Sequence, residues 1–285
     1  MSVCPIPIIA TDKHKYLICH PSLQHYQGVA HPESIDLSND IIKRKLTEPL
    51  ADVLTLECGL QRLVLENCGL EDDTLKVLLH GLLITDSSPH LSLANNKKIK
   101  ANGFKYIATY IEKSASLKYL NLANTLPDKK AAQYLSKSLT PSTTTHHPTS
   151  LETLILDSCQ LKTPLLELLA PAIRRSSLRT LSLRNNKINQ LGGYWISVIL
   201  SDYEDNTVTL PVTHPPPVPL VTRTWKDGLQ VLDLGSNEIR AGMQYIAQSL
   251  KWNKSLRELK AADCKIDGKG CAAVGDALVS GIYFI

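Results

Sequence analysis

Residues able to do chemistry are present in this chain of 285 residues, but not in the groupings that chemistry requires. His146 and His147 stand side by side and could begin a metal site, yet the sequence shows no further ligands for them, and they read as solvated loop residues. Seven cysteines, Cys4, Cys19, Cys58, Cys68, Cys159, Cys264 and Cys271, include no C-x-x-C pair of the kind that holds zinc. Gly268-Lys-Gly270-Cys-Ala-Ala-Val-Gly275 begins like the glycine fingerprint that cradles a dinucleotide pyrophosphate, but its last glycine comes too late. No G-x-S-x-G elbow, H-E-x-x-H helix, phosphate loop or pair of catalytic carboxylates occurs. The expectation is a non-catalytic protein with no cofactor and no metal, whose chemistry is that of a surface.

The elements that build this surface recur. Leu60-Gln-Arg-Leu63-Val-Leu65-Glu-Asn-Cys68-Gly-Leu70 returns as Leu178-Arg-Thr-Leu181-Ser-Leu183-Arg-Asn-Asn186-Lys-Ile188 and as Leu229-Gln-Val-Leu232-Asp-Leu234-Gly-Ser-Asn237-Glu-Ile239. This is L-x-x-L-x-L-x-x-(N/C)-x-L, the leucine-rich repeat, whose copies bury their apolar faces on one another. The second consensus leucine falls at Ile35, Leu63, Leu91, Leu120, Leu154, Leu181, Leu232 and Leu259. Successive positions are 27 to 29 residues apart, except for 34 before Leu154 and 51 before Leu232, which makes about eight repeats with two insertions.

Each repeat position has a physical reason. Alternation in L-x-L puts Leu63 and Leu65 inward on a short strand and turns Arg62, Val64 and Glu66 outward. Leu75, Leu78, Leu79 and Leu82 share one face of the helix that follows. The long repeat favours a full helix, so the predicted fold is an α/β leucine-rich-repeat solenoid of the ribonuclease-inhibitor-like subclass, a horseshoe with a parallel sheet on its concave face and helices on its convex face. A buried Asn186 or Asn237 must spend its amide on loop backbone groups of its own and the neighbouring repeat, and Cys68, Cys159 and Cys264 put a small thiol at that position. Gly103, Gly192, Gly242 and Gly270 follow consensus isoleucines by three or four residues, where lack of a Cβ would allow a tight turn into the helix. The repeats occupy residues 32–279, after an extension 1–31 of no assignable structure and before a stub 280–285. The Ser/Thr-rich insertion near 140–149 and the proline-rich one near 201–227 are expected to be disordered. An apolar edge at the carboxyl end is expected to promote self-association.

Composition narrows the partner class. The net charge of +4 is modest, and Lys43-Arg44-Lys45, Lys97-Lys98-Ile99-Lys100, Lys129-Lys130 and Arg174-Arg175 lack the interleaved aromatics of a nucleic-acid platform. No apolar run reaches membrane-spanning length, and an odd cysteine count without a secretory signal points to a reducing compartment, cytoplasmic or nuclear. The partner expected is a protein, met by the outward strand positions of the sheet: Arg62, Glu66, Tyr119, Asn121, Asp157, Arg184, Asp233, Glu258 and Lys260. Arg62, Tyr119 and Arg184 are the candidate anchors, since Tyr and Arg are over-represented at binding hot spots.

Pro89-His-Leu-Ser-Leu-Ala-Asn-Asn-Lys-Lys-Ile-Lys-Ala-Asn-Gly103, followed by Ser116-Leu-Lys-Tyr-Leu-Asn-Leu-Ala-Asn-Thr-Leu126 and Ser150-Leu-Glu-Thr-Leu-Ile-Leu-Asp-Ser-Cys-Gln-Leu161, sets an order of regular and irregular repeats. Over about Pro32 to Leu278 this order resembles the repeat region of the protein phosphatase 1 regulatory subunit 37 family and its fungal relatives. The resemblance implies a non-catalytic regulator that binds the phosphatase catalytic subunit and tends to inhibit it. Family members carry an R/K-V-x-F docking motif upstream of the repeats, and here no Arg or Lys is followed by Val-x-Phe, so the chain alone is expected to bind the phosphatase weakly or not at all. The same repeat subclass also occurs in a GTPase-activating protein for Ran and in actin regulators of the tropomodulin type, which are the alternative readings.

Overall fold

The structure is a computed structural model and describes residues 8–10, 15–17, 33–56, 59–140, 149–201 and 228–280. The centres of both insertions lie outside the described residues. Two compact units are present, residues 1–138 with 149–159, and residues 139–148 with 160–285.

Every consensus L-x-L forms a three-residue strand centred on the residue named from sequence. In the first unit these are β3 (Ser34–Asp36), β4 (Arg62–Val64), β5 (His90–Ser92), β6 (Tyr119–Asn121) and β7 (Thr153–Ile155). In the second they are β8 (Thr180–Ser182), β9 (Val231–Asp233) and β10 (Glu258–Lys260). Within each unit neighbouring strands pair in parallel, with Ile35, Leu63, Leu91, Leu120 and Leu154 in one register and Leu181, Leu232 and Leu259 in another. After these strands come, in chain order, α1 (Arg44–Leu54), α2 (Asp72–Thr85), α3 (Ala101–Lys113), α4 (Lys129–Leu139), α5 (Thr163–Arg175), α6 (Gln190–Ile199), α7 (Met243–Leu250) and α8 (Gly268–Ser280). Strand, loop and helix alternating on a parallel sheet make this the α/β leucine-rich-repeat solenoid. One element was not expected: an antiparallel hairpin of β1 (Ile8–Ala10) and β2 (Lys15–Leu17) inside the extension.

Leucines hold each repeat. Leu63, Leu65, Leu70, Leu75, Leu78 and Leu82 are all fully buried, and each contributes about 2 kcal/mol relative to an exposed position. The loops between strand and helix are held by the N/C position. Asn237 Oδ1 accepts from the backbone N–H groups of Asn186 (2.9 Å) and Ile188 (3.0 Å) in the preceding repeat. Its Nδ2 donates to the carbonyls of Leu183 (2.9 Å) and Leu234 (2.7 Å). Asn96 repeats the arrangement on Cys68, Leu70, Leu65 and Leu93. The cysteines supply the donor half: Cys68 Sγ donates to the Leu37 carbonyl (3.1 Å), Cys159 to Leu122 (3.1 Å) and Cys264 to Leu234 (3.0 Å). Burial pushes the Cys68 thiol up to about 12, so it stays a protonated donor.

One residue before the N/C position, the chain turns through the left-handed region. Asn39, Asn67, Asn95, Asn124, Ser158, Asn185, Ser236 and Asp263 have φ between 53° and 68°, which explains the recurrent asparagine, the residue besides glycine that tolerates this conformation best. The four helix-start glycines have a different role from the expected turn. None has a positive φ; a Cβ on Gly103 would lie 2.6 Å from Ile99 Cγ2, and one on Gly270 would lie 2.8 Å from Ile266 Cγ2. Gly103, Gly192 and Gly270 make room for the consensus isoleucine, and Gly242 makes room for the Gln190 backbone of the preceding repeat.

Candidate functional site

The sheet register of the first unit sets its outward side chains in rows. Arg62, His90, Tyr119 and Thr153 are aligned partners in the first row, and Val64, Ser92, Asn121 and Ile155 in the second. The ladder continues past the strands: Asn67 N–H donates to Ala94 (2.9 Å), Asn95 to Ala123 (2.8 Å) and Asn124 to Asp157 (2.7 Å). Glu66, Ala94, Ala123 and Asp157 therefore form a third row. Five of the residues expected from sequence, Arg62, Glu66, Tyr119, Asn121 and Asp157, share this one face.

His90 sits between Arg62 and Tyr119 and stacks on Tyr119 with ring centroids 3.9 Å apart and planes 6° from parallel. Burial lowers the His90 pKa, the Arg62 charge lowers it further, and Glu66 opposes, so the ring is neutral at pH 7. The Tyr119 pKa is raised by burial and by Glu66, against Arg62 and with a further push from Asp157, which keeps its hydroxyl protonated. Glu66 Oε1 accepts from Ser92 Oγ (2.5 Å) and from Asn121 Nδ2 (3.5 Å). Asn121 is itself oriented, because its Oδ1 accepts from the Ala123 N–H (3.0 Å). The result is a guanidinium, a stacked aromatic pair and a fixed carboxylate, with the Ser92 hydroxyl engaged on that carboxylate. Arginine and tyrosine are the residue types over-represented at protein-binding hot spots.

The middle row corrects one expectation. Val64 points to the outward side yet is only 3% exposed, and Ser92 and Ser182 are buried as well. Strands lie about 4.8 Å apart, so longer side chains in the flanking rows close over small ones. His90 is not among the residues expected from sequence, although it fills the position before the second consensus leucine, as Arg62 and Tyr119 do.

The second unit carries the other four residues. Arg184 Nη1 meets Asp233 Oδ2 at 3.2 Å, and Asp233 Oδ1 also accepts from the Gly235 N–H at 2.9 Å. Lys260 Nζ lies 3.4 Å from Glu258 Oε1 on the same strand. These charges neutralise one another locally, and exposed pairs of this kind stabilise the fold by about 0–1 kcal/mol.

No family model matches the chain. It is 27% identical over 244 residues to the ribonuclease inhibitor of Mus musculus, covering 82% of this chain and 52% of that protein. It is also 27% identical over 107 residues to protein phosphatase 1 regulatory subunit 37 of Danio rerio, covering 38% of this chain and 12% of that protein. Both are leucine-rich-repeat proteins, and the chain spans about half the length of the first and a smaller share of the second. Among solved structures, the tropomodulin C-terminal domain of Caenorhabditis elegans superposes with a TM-score of 0.40 at 18% identity, over 48% of this chain and 81% of that one. No helix among the described residues is long and apolar enough to cross a membrane. The chain is thus similar to leucine-rich-repeat proteins whose names describe an inhibitor and a regulatory subunit.

Proposed function

We propose that the chain is a non-catalytic docking scaffold of the regulatory-subunit type, which holds the catalytic subunit of protein phosphatase 1 on the sheet face of its first unit. The observation that carries this reading is the platform in which the His90–Tyr119 stack and the held Asn121 and Glu66 share one face with Arg62, so that aromatic area and both signs of charge meet there. Similarity to a phosphatase regulatory subunit over 107 residues, and the order of regular and irregular repeats, support the choice of partner. The test is titration of labelled phosphatase catalytic subunit with the chain. Weak saturable binding is expected, and Tyr119→Ala should weaken it roughly tenfold, as truncation of an interface anchor does. Absence of binding, or equal affinity for Tyr119→Ala, contradicts the reading.

A further inference from the structure

The two units differ in how the charges of their sheet faces are held. In the second, Arg184 is paired with Asp233 and Lys260 with Glu258. In the first, Arg62 and Glu66 lie four residues apart on one extended run, because the ladder continues through Leu65 N–H to the Ser92 carbonyl (2.8 Å) and Asn67 N–H to Ala94 (2.9 Å). Four residues of strand separate the two Cα atoms by about 13 Å. Among the described residues Arg62 has no ion-pair partner, and Glu66 is held by two neutral donors, Ser92 and Asn121, rather than by a cation. One end of this line thus carries an unpaired positive charge and the other a held negative charge, with His90 of the His90–Tyr119 stack aligned beside Arg62.

Granting that this face docks a protein, we infer that it recognises an extended segment bearing one acidic and one basic residue four positions apart, the acidic residue meeting Arg62 and the basic residue meeting Glu66. An extended segment advances by the same step as the strand beneath it and turns residues i, i+2 and i+4 to one side. Its end residues then reach Arg62 and Glu66 together, while its central residue faces Val64, Ser92 and Asn121, where side chains are short. A segment with like charges at the two ends matches one and is repelled by the other. Either chain direction serves, since only the pair of charges and their spacing are read.

The test uses seven-residue threonine-valine peptides, acetylated, amidated and dye-labelled, titrated with the whole chain by fluorescence anisotropy. One carries Asp at its second and Arg at its sixth position, two carry Asp or Arg at both, and one carries the opposite pair only two positions apart. The first should bind roughly tenfold more tightly than the others, the range that matched against mismatched interface charges covers, and its advantage should shrink well above about 0.1 M salt. Arg62→Glu should move the preference to the doubly basic peptide. Glu66→Gln, which keeps an acceptor for Ser92, should erase the advantage over the doubly acidic one. Equal affinities, an unmoved preference in Arg62→Glu, or no binding by any peptide overturns the inference. Peptide selectivity without phosphatase binding would leave the inference standing and remove the phosphatase from the reading; the reverse result would do the opposite.

Discussion

Asn237 joins two repeats through four hydrogen bonds from one side-chain amide to backbone groups at 2.7 to 3.0 Å. Its replacement by leucine leaves those buried N–H and carbonyl groups without partners, so Asn237→Leu should destabilise by about 2–3 kcal/mol. Asn102→Leu, at an exposed helical position, should change stability by less than about 0.5 kcal/mol. Urea melts of the two variants separate these outcomes. Asp86 does similar work elsewhere, accepting from Ser114 Oγ (2.5 Å), Ala115 N–H (2.8 Å) and Ser116 Oγ (2.9 Å). Burial works to raise its pKa, but these hydrogen bonds outweigh it and hold the carboxyl below its ordinary value. A carboxyl depressed in the folded state stabilises the fold fully above its unfolded pKa of about 3.9 and loses that contribution as pH falls through the lower, folded value. Asp86→Asn, which tolerates the left-handed backbone there (φ 42°), should therefore cost about 1 kcal/mol at pH 7, discounted for solvent screening. The gap to the wild type should close as pH drops below about 3.9; a gap that persists there would show that charge is not the cause.

At the scale of elements, each strand is short because the consensus itself is short: two inward leucines, then a residue that turns left-handed and ends the extended run. The positions of all eight parallel strands were legible for that reason, since a residue buried at every repeat leaves a period in the chain. Helix ends were less legible. α2 begins with Asp72 and Asp73 in its first turn, where the helix dipole favours them, whereas α1 begins with Lys43, Arg44 and Lys45 and has no acidic residue there. Lys45→Glu should accordingly stabilise the first unit by about 0.5 kcal/mol, read as a higher urea midpoint at low salt that fades with added salt. An unchanged midpoint would mean that the exposed first turn does not feel the dipole. The β1–β2 hairpin lies outside the repeat and left no period to read. The role of the helix-start glycines could not be told from spacing either, because a tight turn and a close isoleucine ask for the same missing Cβ.

Across the whole molecule, the basic excess and the candidate site are in different places. Three of the four basic clusters, at Lys43–Lys45, Lys97–Lys100 and Lys129–Lys130, stand at or just before the amino ends of α1, α3 and α4, and Lys98 is paired with Glu71 at 2.8 Å. The sheet face of the first unit instead combines charges of both signs with an aromatic stack. The membership of that face was legible, since strand alternation names its rows. The pairing of its charges was not, because it depends on which neighbour lies within reach: Arg184 finds Asp233, while Arg62 has His90 beside it. The central claim is that this face contacts the phosphatase on its own account. Titrating the catalytic subunit with the native chain, with the chain extended upstream of Pro32 by an R/K-V-x-F motif, and with the bare motif peptide tests it most directly. Two linked contacts raise affinity through effective concentration by about a hundredfold or more, so the extended chain should bind far more tightly than either of its parts. If it binds no better than the motif peptide, the sheet face makes no contact with the phosphatase and the claim is wrong.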